Sequence, residues 1–180
     1  MLLSNIFSLL AVSGIVAAAP TELEARQSGN FKAEMIEAHN FFRGQHSAQP
    51  LTWNENLANK AQSWANTCNW SHSGSGENLA SGTGFTSWGA FVNLWGAERK
   101  QYNYAQPGFS SATGHFTQVV WKNSKTLGCG WKKCGGGQGK ASGWYIVCHY
   151  SPAGNYLGQF PQNVARQTKG KPTDVWQKRN

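Results

Sequence analysis

The chain has 180 residues, with nine Trp, nine Phe and five Tyr, enough large apolar surface for one folded domain of ordinary size plus tails. Its formal net charge is +8, yet Lys and Arg are scattered outside "NSKTLGCGWKK" and "RQTKGKPTDVWQKRN", so no basic stripe argues for nucleic acid. Charged residues make up only 13%, and beyond the first nineteen residues no stretch approaches the roughly 18 apolar residues that a membrane span requires.

The first nineteen residues, "MLLSNIFSLLAVSGIVAAA", are apolar and end in small residues. Ala17 and Ala19 fit a cleavage site before Pro20, so residues 1–19 read as a secretory signal peptide and the mature protein as extracellular. The n-region carries no Lys or Arg, which leaves the terminal amine as its positive charge. Residues 20–30 are polar and read either as a propeptide, with Arg26 near its end, or as a disordered N-terminus.

"FKAEMIEAHNFFRGQHS" is a predicted helix, because Phe31, Met35, Ala38 and Phe42 recur at helical spacing. Pro50 breaks it, and "QPLTW" is a short extended piece. "NENLANKAQSWANTC" is a second helix, capped by Asn54, with Leu57, Ala61, Trp64 and Ala65 as its apolar stripe. "SHSGSGENLASGTG" is rich in Gly and Ser and reads as a loop with one helical turn around Glu77. "TSWGAFVNLWGAERKQY" is a third helix with Trp88, Phe91, Val92 and Trp95 on one face, and "NYAQPGFSSATG" is a loop.

Three strands are predicted next: "HFTQVVW", "TLGCGWKKC" and "GWYIVCHYS", the last two joined by the hairpin connection "GGGQGKASG". In the first of them His115, Thr117, Val119 and Trp121 would share one side. Residues 161–180 read as a basic flexible tail, attracted at most transiently to anionic cell walls or membranes. Helices first and antiparallel strands last, with apolar residues on both strand faces, predict an α+β fold: a three-layer α-β-α sandwich around an antiparallel sheet.

Acids are few, so His72, Glu77, Glu98 and His115, drawn from three segments, stand out as groups able to converge on one cleft. Such a set could hold a divalent cation or form a hydrogen-bonded cluster, and spacing alone does not choose. Among the other histidines, His39 with Asn40 is expected to tie the first helix to neighbouring backbone, His46 to be exposed and His149 to lie on a strand face. Cys68, Cys129, Cys134 and Cys148 fit disulfides in a secreted chain and allow three pairings. Asn69 begins the only N-glycosylation sequon, "NWS", and its proximity to Cys68 is expected to disfavour modification.

"HSGSGENLA", "NLWGAERKQYNY", "TGHFTQVVWKNSKTLGCGW" and "YIVCHYSPAGNYLG" together resemble the signatures of the CAP superfamily, the cysteine-rich secretory, antigen 5 and pathogenesis-related class 1 proteins. The likeness runs from Phe31 to Gly158, points to the fungal secreted, sterol-binding type and places a CAP domain over residues 31–160. It implies the same α-β-α sandwich. It also implies that His72, His115, Glu77 and Glu98 form a cleft for a divalent cation, Zn or Mg, and that Cys68–Cys129 and Cys134–Cys148 are the disulfides.

The resemblance further implies a monomer that binds and exports or sequesters sterols, with fatty acids as a second lipid class held between helices. The sterol loop of such proteins falls on Tyr102, Tyr104, Pro107, Gly108 and Phe109. The residues alone would read these aromatics as loop packing. The alternatives are a metal-dependent hydrolase or protease, and an antimicrobial or signalling protein acting on a host partner. No free thiol or oxyanion-hole motif supports catalysis, so no catalytic residue is assigned. Release of a C-terminal peptide is disfavoured, because "CHYS" departs from the family's cleavage site.

Overall fold

The computed structural model describes residues 22–178, with residues 22–29 as backbone only; the predicted leader and cleavage site lie outside them. Helix α1 spans Glu22–Gln45, so the segment read as a propeptide or a disordered N-terminus is helical from Glu22, which corrects the disordered alternative. It is followed by β1 (Thr52–Trp53), α2 (Glu55–Ala65), β2 (Glu77–Gly82), α3 (Gly89–Ala97) and a 3-10 turn (Glu98–Gln101). Helix α4 (Gly114–Val119), β3 (Thr126–Gly135), β4 (Ser142–Ser151) and the short α5 (Phe160–Asn163) complete the chain.

The strands form one sheet in the order β1-β3-β4-β2. Strands β2 and β3 pair antiparallel with β4, but β1 runs parallel to β3, so the sheet is mixed rather than wholly antiparallel. Three layers result. On one face Ile146, Cys148 and Tyr150 of β4 meet Met35, Phe42, Phe91 and Trp95 of α1 and α3. On the other, Tyr145 and Val147 meet Ala61 and Ala65 of α2. That second layer lies close to the sheet because β3 presents Gly128 and Gly130: a Cβ on Gly130 would come within 2.3 Å of Gln62 N. Helix α2 has the expected cap, with Leu57 N donating to Asn54 Oδ1 at 3.1 Å.

Two predicted elements change class. "HFTQVVW" is mostly helix α4, not a strand. Phe116, Val119 and Val120 also fit i, i+3, i+4 spacing, and periodicity cannot separate the two states in so short a buried run. Glu77–Gly82 is a strand, not a loop: pairing with β4 overrides its small-residue composition.

The expected flexible tail is packed instead. Trp176 is buried over Gly89, with its backbone N and O bonded to Asn93 Oδ1 and Nδ2 at 2.9 and 3.0 Å. Buried Arg99 donates to the carbonyls of Lys171, Pro172 and Asp174 and to Gln45 Oε1. One buried aromatic and a polar clamp suffice to fix a segment with almost no other apolar content.

The disulfides are Cys68–Cys134 and Cys129–Cys148, correcting the pairing that the resemblance implied. Cys129 and Cys148 are direct cross-strand partners with Cα atoms 4.1 Å apart. Cys134 lies five residues further along β3, roughly 16 Å away at strand rise, beyond the reach of a bridge to Cys148.

Candidate functional site

The four expected cleft residues are brought together as two imidazole–carboxylate pairs. Glu98 stands where α3 passes into the 3-10 turn, and its Oε2 accepts from the backbone N–H groups of His115 and Phe116 at 3.1 and 3.0 Å. Thr113 supplies no side-chain cap, so this remote carboxylate satisfies the orphan amides that open α4. Its Oε1 accepts from His115 Nδ1 at 2.7 Å, and Trp95 stacks on the His115 ring at 6.1 Å and 18°.

The second pair is built differently. Glu77 opens β2, and its side chain is fully buried, while His72 sits on the preceding loop with its side chain 56% exposed. Glu77 Oε2 accepts from His72 Nδ1 at 3.0 Å and Ser73 N at 2.9 Å, and Oε1 accepts from Ser73 Oγ at 2.7 Å. Burial pushes the Glu77 carboxyl up, but hydrogen bonds from His72 and Ser73 outweigh it and hold the group below its ordinary value. His149 on β4 lies behind, its Nε2 3.3 Å from Glu77 Oε1 but without hydrogen-bond alignment. Burial holds that imidazole below its ordinary pKa, with Glu77 opposing.

Ionised carboxylates only accept, so both cleft histidines donate from Nδ1, and in the neutral imidazole that leaves Nε2 as the ligating nitrogen. His72, Glu77, Asn78, Phe109, Gly114 and His115 line a shared cleft of about 260 Å³. The carboxylate oxygens are spent on amides, Ser73 and the imidazoles. Among the described residues no three His, Cys, Asp or Glu side chains gather into a metal-holding group. The donor set is therefore two imidazole nitrogens with orienting carboxylates, not four ligand side chains. That set fits a divalent cation completed by water, because each imidazole is held in the ligating tautomer.

Asn78 and Tyr150 were not foreseen as part of the site. Asn78 Nδ2 donates to His115 O at 3.0 Å and to Tyr150 Oη at 3.2 Å. Tyr150 Oη is 2.7 Å from His39 Nε2, and His39 Nδ1 donates to Met35 O at 2.6 Å. Burial lowers the His39 pKa to about 3, against which the Met35 carbonyl acts only in part. His39 thus ties α1 to its own backbone as expected, and also to β4. Asn40 meets the Leu51 backbone from both sides, also as expected. His46 is buried rather than exposed, donating from Nδ1 to Ala165 O at 2.9 Å under the C-terminal segment. Nothing in the local sequence of Asn78 or Tyr150 marks them out, since their partners lie far along the chain.

The predicted loop residues separate. Tyr102 is buried, 5.9 Å from Phe116 and 4.8 Å from Tyr104 ring to ring, so it is a core residue here. Tyr104 is half-buried under the Arg166 guanidinium, 5.1 Å above its ring, and burial pushes its hydroxyl up to about 12. Pro107 is exposed, Gly108 half-buried and Phe109 55% exposed. The Phe109 ring lies against Gly114, where a Cβ would come within 2.9 Å of it. Phe109 lines the histidine cleft and also a second hollow of about 270 Å³ with Tyr102, Gln106 and Gly108.

Helices α1 and α3 meet directly where the Phe42 ring lies over Gly96. A cavity of about 630 Å³ opens between Ile36, Asn40 and Phe41 of α1 and Val175 and Trp176 of the C-terminal segment.

Residues 36–150 match the family described as CAP, the cysteine-rich secretory protein family. The chain belongs to the CAP family. It is 43% identical over 141 residues to pathogenesis-related leaf protein 4 of Solanum lycopersicum, covering 75% of this chain and 86% of that one. It is 44% identical over 142 residues to protein PRY2 of Saccharomyces cerevisiae, covering 75% of this chain and 41% of PRY2. The crystal structure of NaASP2 with Zn2+ superposes with a TM-score of 0.60 at 21% identity, over 83% of this chain and 92% of that one. These CAP relatives include plant and fungal proteins, and the α-β-α arrangement is the CAP fold.

Proposed function

We propose that this CAP protein is a secreted, non-catalytic binder of sterols, with a two-histidine cation site beside its lipid loop. The observation that carries the reading is Phe109. It is a large apolar ring, 55% exposed, at the wall between the aromatic-loop hollow and the His72–His115 cleft. An exposed aromatic beside Pro107 and Gly108 offers a flat apolar face to a rigid ring system at modest entropy cost. Tyr104 contributes its half-buried face, while Tyr102 supports the loop from beneath. A bound divalent cation would cross-link His72 and His115 and add positive charge to the cleft. The glutamates orient the imidazoles; with their oxygens already hydrogen-bonded, neither is free to act as a general base, which weighs against hydrolysis. The disulfides fit an oxidising, extracellular setting.

The test is saturable binding of labelled ergosterol to the purified protein, with Phe109→Ala and Tyr104→Ala as variants and a chelator as a further arm. Binding lost in Phe109→Ala supports the loop; binding that survives both variants rejects it. Fatty acids are the second reading, favoured by the cavity between α1 and the C-terminal segment. Trp176→Ala would alter fatty-acid binding while leaving sterol binding in place.

A further inference from the structure

We propose that Asn69 is an N-glycosylation site, carrying an oligosaccharide linked through N-acetylglucosamine on the loop that follows α2. The inference rests on the reading that the chain enters the secretory route. The sequon Asn69-Trp70-Ser71 lies directly after Cys68, whose φ of 54° turns the chain out of the helix. Its backbone is fixed: Asn69 N donates to Thr67 Oγ1 at 3.1 Å, Asn69 O accepts from Tyr145 Oη at 2.8 Å, and Trp70 N donates to Gly139 O at 2.9 Å. The side chain has a defined orientation as well. Lys140 Nζ donates to Asn69 Oδ1 at 2.7 Å, which identifies the oxygen and leaves Nδ2, the atom that takes the sugar, with no partner among the described residues. A glycan on Nδ2 keeps the amide carbonyl and so keeps the Lys140 bond. Ser71 is exposed, and Trp70, 49% exposed with its edge toward Tyr145 at 5.8 Å, is an apolar surface that a glycan would shield.

The neighbouring disulfide does not stand in the way. Cys68 pairs with Cys134, 66 residues later. At roughly 5–20 residues per second of synthesis, the sequon reaches the lumen several seconds before its neighbour can be bridged. In the transfer, Asn69 Nδ2 forms a C–N bond to C1 of the reducing-end N-acetylglucosamine of a lipid pyrophosphate-linked oligosaccharide. The C1–O bond breaks, the lipid pyrophosphate leaves and the amide proton passes to the transferase base.

The test is secretion of the full chain from a yeast culture, once with its own leader and once with that leader replaced by a proven one. Intact mass is read before and after an endoglycosidase. Wild type is expected to lose a glycan mass on digestion, and Asn69→Gln and Ser71→Ala are each expected to lack it. Secreted wild type of bare polypeptide mass overturns the proposal, all the more plainly if Ser71→Thr is glycosylated. Glycan found only with the replacement leader supports the site and counts against the native leader instead.

Discussion

The two halves of the cleft contain the same chemistry on unlike foundations. His115 stands on a helix whose opening amides are capped by its own partner Glu98, with Trp95 stacked on the ring and Asn78 holding the backbone carbonyl. His72 stands on a loop, its side chain 56% exposed against 33% for His115, and only its partner Glu77 is buried. The difference teaches that one half is an extension of the core, whereas the other is an exposed loop side chain held by a buried carboxylate. The cleft should therefore lose the His72 half first when local order is weakened, and the His115 half only when the core is touched.

The largest expected effects come from the disulfides. On loop-length arguments, replacing Cys68 and Cys134 by Ser should cost about 4 kcal/mol, and replacing Cys129 and Cys148 about 3 kcal/mol, for separations of 66 and 19 residues. Hydrogen exchange should rise in the His72 loop for the first variant and in β3–β4 for the second. Peptide mapping that recovers Cys68 joined to Cys129 would refute the pairing itself.

Arg99→Ala should come next, at roughly 3 kcal/mol, a fall in Tm of roughly 6–12 °C. Arg99 neighbours Glu98 and holds the C-terminal segment through three carbonyls, so its loss should loosen the His115 half. An unchanged Tm would mean that the C-terminal segment supports nothing.

Acid sharpens the contrast further. His39 has a folded pKa of about 3 against 6.5 when unfolded, so the folded state resists protonation. Its stability contribution is full above pH 6.5 and falls as pH drops toward 3, at about 1.4 kcal/mol per pH unit. A protonated Nε2 no longer accepts from Tyr150, which breaks the relay to His115. Thermal melts should show a shallower acid slope for His39→Gln than for wild type; equal slopes would remove His39 as the cause.

The smallest effect separates orientation from folding. In Glu98→Gln the amide oxygen keeps the α4 backbone bonds and the NH2 faces His115 Nδ1. That forces the other tautomer and puts a proton on Nε2. Zinc affinity measured by calorimetry should fall roughly 10–100-fold with little change in Tm. Glu77→Gln should lower it less, because the exposed His72 can turn to present its other nitrogen.

Much of this was readable in the chain. Phe31, Met35, Ala38 and Phe42 state their helix by spacing and Asn54 states its cap, while His72, Glu77, Glu98 and His115 were candidates whose convergence spacing left open and the family resemblance implied. What was not readable came from partners far along the chain. The relay His39–Tyr150–Asn78–His115 joins α1, β4, β2 and α4, and no local pattern encodes it.

The sequence by itself determined the helix-then-strand order and the apolar faces on both sides of the sheet, because periodicity is a local property; it offered the cleft groups only as candidates, which the family resemblance singled out. Only the tertiary structure decided that "HFTQVVW" coils, that Glu77–Gly82 extends, which cysteines meet and that Trp176 anchors the C-terminal segment. Short buried runs satisfy either period, and register and docking depend on atoms that become neighbours only after the chain has folded.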